Sequence, residues 1–261
     1  MTNYKLKTIS NTEMLCFTED SMDYTNWYIC EDDITEYKDF FFDELLFDLA
    51  RPWPLEIKDC KYFTGTGDDR EGEKDDNRWA FRGHGGTLSV ENYPASLKNI
   101  KNWEYIFDKY KPKSILETGT NSGIFGFLCY KFLGNDFELT TIDCEPNSKI
   151  CVDKVNKYFN NDLIEFHKLD ILNGMEDFEV EKELDFVFLD SGHDTGILTA
   201  ELDFVIRNNI SVIAFDDYSL PQVDEMIKKF LTDNTNYQLV ETFNGLSGSG
   251  MGDIKIVKQD G

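Results

Sequence analysis

Apolar positions recur along this chain with two periods, and they change places in a regular order after residue 93. Leu97, Ile100, Trp103, Phe107 and Tyr110 share one helical face behind Pro94, and Pro112 stops the helix. Apolar runs then alternate with amphipathic stretches. SILETG (114–119), FELTTID (137–143), IEFHKLD (164–170), LDFVFLD (184–190) and SVIAFDD (211–217) read as strands. Helices are expected near 122–133, 146–159, 195–207 and 220–232, the last from Val223, Met226, Ile227, Phe230 and Leu231. Such βα alternation predicts an α/β fold with a parallel sheet covered by helices on both faces. Right-handed crossovers then bring the strand C-termini to one edge, where ligands bind.

The end of the chain breaks the alternation. YQLVETF (237–243) and DIKIVKQ (253–259) flank NGLSGSGMG, and nine residues is too short for a crossover helix. The last strand is therefore expected to run antiparallel to its neighbour. Residues 1–93 have weak periodicity and many acids. Within them DFFFDELLFDLA (39–50) predicts a short amphipathic helix, and the Gly- and charge-rich segment 64–86 predicts a long loop. The expected division is an N-terminal extension, 1–93, and a domain over 94–261.

Charge narrows the partners. Fifty acids against 26 Lys and Arg give a formal charge of -24, which repels phosphate backbones and anionic membranes, so neither nucleic acid nor membrane is expected as a partner. The six cysteines, at 16, 30, 60, 129, 144 and 151, form no CxxC pair and no zinc-spaced Cys/His cluster. MTNYKLKTIS lacks an apolar signal core. No apolar run approaches the ~18 residues of a membrane span. These features predict a cytoplasmic location.

The candidate chemistry lies at the strand ends. The first strand leads into ETGTNSG, Glu117 to Gly123, whose Gly119 and Gly123 have GxxxG spacing rather than GxGxxG. Glu117 stands where a pyrophosphate would want no negative charge, and it suits a ligand with a cationic end, such as the ammonium of S-adenosylmethionine (SAM). The bland alternative is a plain tight turn. Asp143 ends the second strand and can accept both ribose hydroxyl protons of an adenosine ligand. Asp170 ends the third, as an adenine-amino acceptor with Ile171 against the ring, or as a solvated loop acid.

Asp190 ends the fourth strand, with His193 three residues on, and Asp216-Asp217 end the fifth. Three carboxylates converging there would repel unless a cation intervened, and oxygen ligands favour Mg²⁺ or another hard divalent ion. His193 is then a general base or a further ligand. The alternative for Asp216-Asp217 is a helix N-cap pair. His84 and His167 carry no specific reading.

ETGTNSG, TIDCEP, LDSGH and FDDY occur in the order seen in class I SAM-dependent methyltransferases, which residues 94–259 resemble. The resemblance is nearest to metal-dependent O-methyltransferases of the macrocin and rhamnosyl type and to the cephalosporin hydroxylase-like group. It is more distant to the catechol and caffeoyl-CoA type, which has Lys where this chain has His193 and Asp-Asn where it has Asp216-Asp217. It implies a Rossmann-like, mostly parallel seven-stranded sheet ending in an antiparallel hairpin. It further implies SAM on Glu117, Gly119, Gly123, Asp143 and Asp170, a metal on Asp190, Asp216 and Asp217, and His193 as base. The expected activity is Mg²⁺-dependent O-methylation of a hydroxyl on a sugar or diol-bearing small molecule. Residues 1–93 would form a substrate lid or the contact of a homo-oligomer. Two alternatives keep the fold: a metal-dependent hydroxylase or other non-methylating enzyme, and a non-catalytic binding module. An NAD-linked enzyme fits poorly with the GxxxG spacing and the terminal hairpin.

Overall fold

The computed structural model describes residues 4–9, 12–17, 36–37, 45, 93–146, 148–243 and 253–259. The chain divides into two compact units, Met1–Ile100 and Lys101–Gly261. The first contains an antiparallel pair, β1 (Tyr4–Ile9) and β2 (Thr12–Phe17), in which Tyr4 faces Phe17 and Ile9 faces Thr12. The periodicity of 1–93 did not predict this pair. The helix expected at 39–50, the loop at 64–86, His84 and the loop NGLSGSGMG lie outside the described residues, apart from helical Leu45. No helix among the described residues is long and apolar enough to cross a membrane.

Helix α1 (Tyr93–Tyr110) runs through the boundary between the units. It ends where Lys111 turns left-handed (φ 45) and its N–H reaches the Phe107 carbonyl, just ahead of Pro112. β3 (Ser114–Thr118), α2 (Ile124–Leu133), β4 (Glu138–Asp143), α3 (Ser148–Phe159) and β5 (Ile164–Lys168) follow. A single helical turn, α4 (Ile171–Gly174), comes next. Then come β6 (Phe186–Leu189), α5 (Thr195–Arg207), β7 (Val212–Phe215), α6 (Pro221–Asp233), β8 (Tyr237–Phe243) and β9 (Ile254–Gln259).

The seven strands lie in the order β5-β4-β3-β6-β7-β9-β8. The first five are mutually parallel, and β9 is antiparallel to both β7 and β8. The expected mostly parallel sheet closed by an antiparallel hairpin is present. The chain winds outward from β3 to β5, then returns to lay β6 on the other side of β3. That reversal lies beyond the C-terminal ends of β3 and β6, the place where open α/β sheets bind ligands. Register makes this edge sharp, since Thr118 pairs with Leu189 and Leu189 with Phe215. Gly119, Asp190 and Asp216 therefore follow one another across the rim.

The central strands β6 and β7 are apolar and buried on both faces because helices cover both. On one face Trp103 sets its ring edge-on to Phe125 and Phe188, at centroid distances of 4.9 and 4.7 Å. On the other, Leu116, Val187 and Ile213 pack with Leu198, Leu202, Val205, Val223, Ile227 and Phe230 in one cluster. Each such large side chain contributes about 1.5–3 kcal/mol on burial. The functional edge is thus carried by the best-packed strands of the domain.

Candidate functional site

The turn after β3 can be built only with glycine at 119. Gly119 has φ +88, and a Cβ there would lie 2.0 Å from the Asp190 carbonyl oxygen. The Gly119 and Thr120 N–H groups both donate to the Ile142 carbonyl, at 2.8 and 3.3 Å, tying the turn to β4. Asn121 is left-handed (φ 45), and so is Gly123 (φ +73), which opens α2 without a side-chain cap. The first-turn N–H groups of α2 therefore depend on other acceptors.

Glu117 is 2% exposed beneath this turn. Thr141 Oγ1 donates to its Oε2 at 2.5 Å, and Thr141 and Thr120 hydroxyls meet at 2.6 Å. With Thr141's proton committed to Glu117, Thr120 is the donor in the second bond. Burial pushes the Glu117 carboxyl up to about 8, with Thr141 opposing and Asp143 adding to the rise.

Asp143 accepts from the Asn121 N–H and the Glu145 N–H, both at 2.8 Å, and from Ser148 Oγ at 3.1 Å. It braces the turn against α3, and most of its acceptor capacity is engaged. Asp170 caps α4, accepting from the Leu172 N–H at 3.1 Å and Asn173 Nδ2 at 2.6 Å. Ile171, expected against an adenine ring, is 7% exposed and belongs to the core cluster.

Asp190 and Asp216 meet across β6 and β7. Desolvation, followed by the repulsion of Asp216, holds the Asp190 carboxyl well above the usual carboxylate range. Asp216 is also raised, by desolvation first and then by Asp217. Asp217 is left-handed (φ 48), which swings its side chain to His193, and Nε2 lies 2.9 Å from Oδ2. The Asp217 hydrogen bond raises the His193 pKa. The other oxygen, Oδ1, is buried with no hydrogen-bond partner. Asp216-Asp217 do not cap α6, whose N-cap position is Leu220.

Glu201 was not foreseen. It lies on α5, 1% exposed, and its Oε1 accepts from Thr118 Oγ1 and Ser191 Oγ, each at 2.5 Å. Oε2 has no partner. Burial pushes this carboxyl up to about 7. A sequence signal existed: Leu198, Glu201, Leu202 and Val205 form one buried stripe, so the acid interrupts an apolar face. His167, by contrast, lies on β5 with Nε2 3.2 Å from Glu165 and its ring against Phe178, two strands from β3.

Among the described residues, no group of three or more His, Cys, Asp or Glu side chains is arranged as a metal cage. The donor chemistry at the rim nevertheless suits a hard cation. Asp190 and Asp216 repel each other, which a cation would relieve, and Asp217 carries an unpartnered buried oxygen.

No protein-family model matches the chain, and no curated protein matches it. Solved structures do. A Klebsiella pneumoniae protein assigned as an O-methyltransferase is 13% identical, with a TM-score of 0.51 over 69% of this chain and 86% of its own. A cofactor-bound protein from MTB is 12% identical, with a TM-score of 0.50 over 67% of this chain and 93% of its own. At these identities the likeness is one of architecture, a Rossmann-like α/β fold with a mostly parallel seven-stranded sheet.

Proposed function

We propose that the chain is a SAM-dependent O-methyltransferase that requires Mg²⁺ and acts on a hydroxyl of a sugar or other diol-bearing small molecule. One observation carries the reading. The glycine turn at 119–123 and the Asp190, His193, Asp216 and Asp217 group share one rim at the point where strand order reverses. A donor held by the turn would thus lie beside an acceptor held by the acids.

SAM would supply an electrophilic methyl on a sulfonium, and Mg²⁺ on Asp190, Asp216 and Asp217 would lower the pKa of the acceptor hydroxyl. Glu117 would face the cofactor's ammonium, where a carboxylate is favoured. His193, aligned by Asp217, would take the hydroxyl proton as the new C–O–methyl bond forms. The products are the methyl ether, S-adenosylhomocysteine and a proton on His193, which solvent removes. The turn backbone and the paired acids fix the two reactants relative to each other, which is where orientation contributes most.

The test is formation of S-adenosylhomocysteine from SAM with a panel of sugars and vicinal diols, with Mg²⁺ and with excess chelator. Turnover should vanish in chelator. Asp190→Asn should abolish turnover and leave calorimetric SAM binding intact. Undiminished turnover in chelator would remove the metal from the reading, and absence of SAM binding by the wild-type chain would remove the methyl transfer.

A further inference from the structure

Glu201 is a buried acid that the proposed chemistry leaves unused. Its position at the middle of an apolar stripe is costly, because burying a carboxyl with one oxygen unpartnered forfeits hydration. Its one engaged oxygen, however, bonds the last residue of the β3–β6 ladder and a residue just past it. Thr118 is the last residue of β3 and precedes Gly119. Ser191 lies between Asp190 and His193, past the end of β6. The final ladder bond there runs from the Asp190 N–H to the Thr118 carbonyl, at 3.0 Å. Beyond it the Glu201 carboxylate continues the tie. The same turn is held at its far end by Asp194, which caps α5 through the Gly196 and Ile197 N–H groups at 2.9 and 3.1 Å.

We propose that Glu201 is a positioning residue that fixes the cofactor turn at Gly119 to the Asp190–His193 turn through a shared acceptor oxygen. The inference rests on the proposed methyltransferase reading for its purpose and on the two hydroxyl bonds for its substance. Its action is indirect: Thr118 and Ser191 are the groups it touches.

The experiment compares wild-type, Glu201→Gln and Glu201→Met chains by amide hydrogen exchange and by calorimetric titration with SAM. Glutamine keeps a carbonyl oxygen for both hydroxyls, and methionine keeps only bulk. Exchange at the Gly119, Thr120 and Asp190 amides should quicken by about tenfold in Glu201→Met, with SAM affinity falling by a similar factor, about one lost hydrogen bond's worth. The Leu139 amide, bonded to Leu163 in the same sheet, should be unchanged. Glu201→Gln should restore both readouts to near the wild-type values. Equal acceleration at Leu139, unchanged exchange in Glu201→Met, or a Glu201→Gln chain as loose as Glu201→Met would overturn the proposal. Should Glu201→Met fail to fold, Ser191→Ala and Thr118→Val replace it, each loosening its own segment or refuting the tie. A wild-type chain that does not bind SAM would sink the functional reading and leave the exchange result to decide the role of Glu201.

Discussion

Gly119 and Asp190 touch backbone to backbone: a methyl group on the first would lie 2.0 Å from the carbonyl oxygen of the second. The turn at 119–123 and the turn at 190–193 are therefore packed backbone to backbone. Gly119→Ala should destabilise the domain by roughly 3 kcal/mol or more, combining positive-φ strain with a backbone clash. Gly123→Ala is the control. Its φ is also positive, but a Cβ there meets Cys151 Cβ at an ordinary 3.5 Å. It should cost only about 1–2 kcal/mol, the left-handed penalty alone. Urea midpoints of the two variants check the difference, and equal losses would show that the contact is slack.

Glu117 sets a pH dependence whose sign follows from its environment. Burial lifts its pKa from 4.5 to about 8 in the folded chain. Glu201, lifted from 4.5 to about 7, acts in the same direction. Between those values the folded state binds more protons than the unfolded state, so stability is full below about pH 4.5 and declines as pH rises toward 8. Glu117→Gln removes that proton uptake. Its stability relative to wild type should therefore be least at pH 5 and improve steadily up to pH 8, by an amount on the order of a few kcal/mol. Denaturant titrations across that range, in chelator, measure it. A constant difference between the two proteins would mean that Glu117 is ionised throughout.

The same residue links ligand binding to protons. At pH 7 a Glu117 that titrates near 8 holds its proton in the ligand-free chain. An ammonium group arriving beside it favours the carboxylate. SAM binding should then release close to one proton at pH 7 and far less at pH 9. Calorimetry in two buffers of different ionisation enthalpy reads the release directly. A buffer-independent heat at pH 7 would separate Glu117 from the cofactor's ammonium.

The strand ends were legible in sequence because the apolar runs IL, VFL and IAF terminate abruptly in Glu117, Asp190 and Asp216. Parallel topology then sends those acids to one edge. The terminal hairpin was legible from loop length alone. Asp190 and Asp216 accordingly follow the ends of neighbouring strands, and Asp217 reaches His193. What escaped was the use each group makes of its neighbours. Asp143 and Asp170 look free at the ends of their strands, yet the folded chain bonds both to backbone N–H groups only two residues along, and Asp143 to the Asn121 N–H as well. Local capping of that kind leaves no mark on periodicity. Glu201 escaped for a different reason. It is separated from Thr118 by 83 residues, and only the helix face it interrupts hints at its burial. The β1–β2 pair escaped because two six-residue strands without an Asn-Gly or Asp-Gly turn give a short, weak signal.

Thr141 offers the most economical test of how the turn at 119–123 is held. Its hydroxyl is the middle of a chain, accepting from Thr120 in the turn and donating to Glu117 on β3. The residue is fully buried, and valine has nearly its shape. Thr141→Val would leave Thr120 without its acceptor and Glu117 without its donor, at a cost of about 1–3 kcal/mol. Losing the donor also removes the one influence that lowers the Glu117 pKa, so the carboxyl should titrate still higher. The stability decline should accordingly extend to higher pH than in wild type, and proton release on SAM binding should be larger at pH 8. Thr141→Ser keeps the hydroxyl and loses a methyl. It should restore the wild-type pH profile at a small packing cost, and a serine variant that behaved like valine would show that packing, rather than the hydroxyl chain, holds the turn.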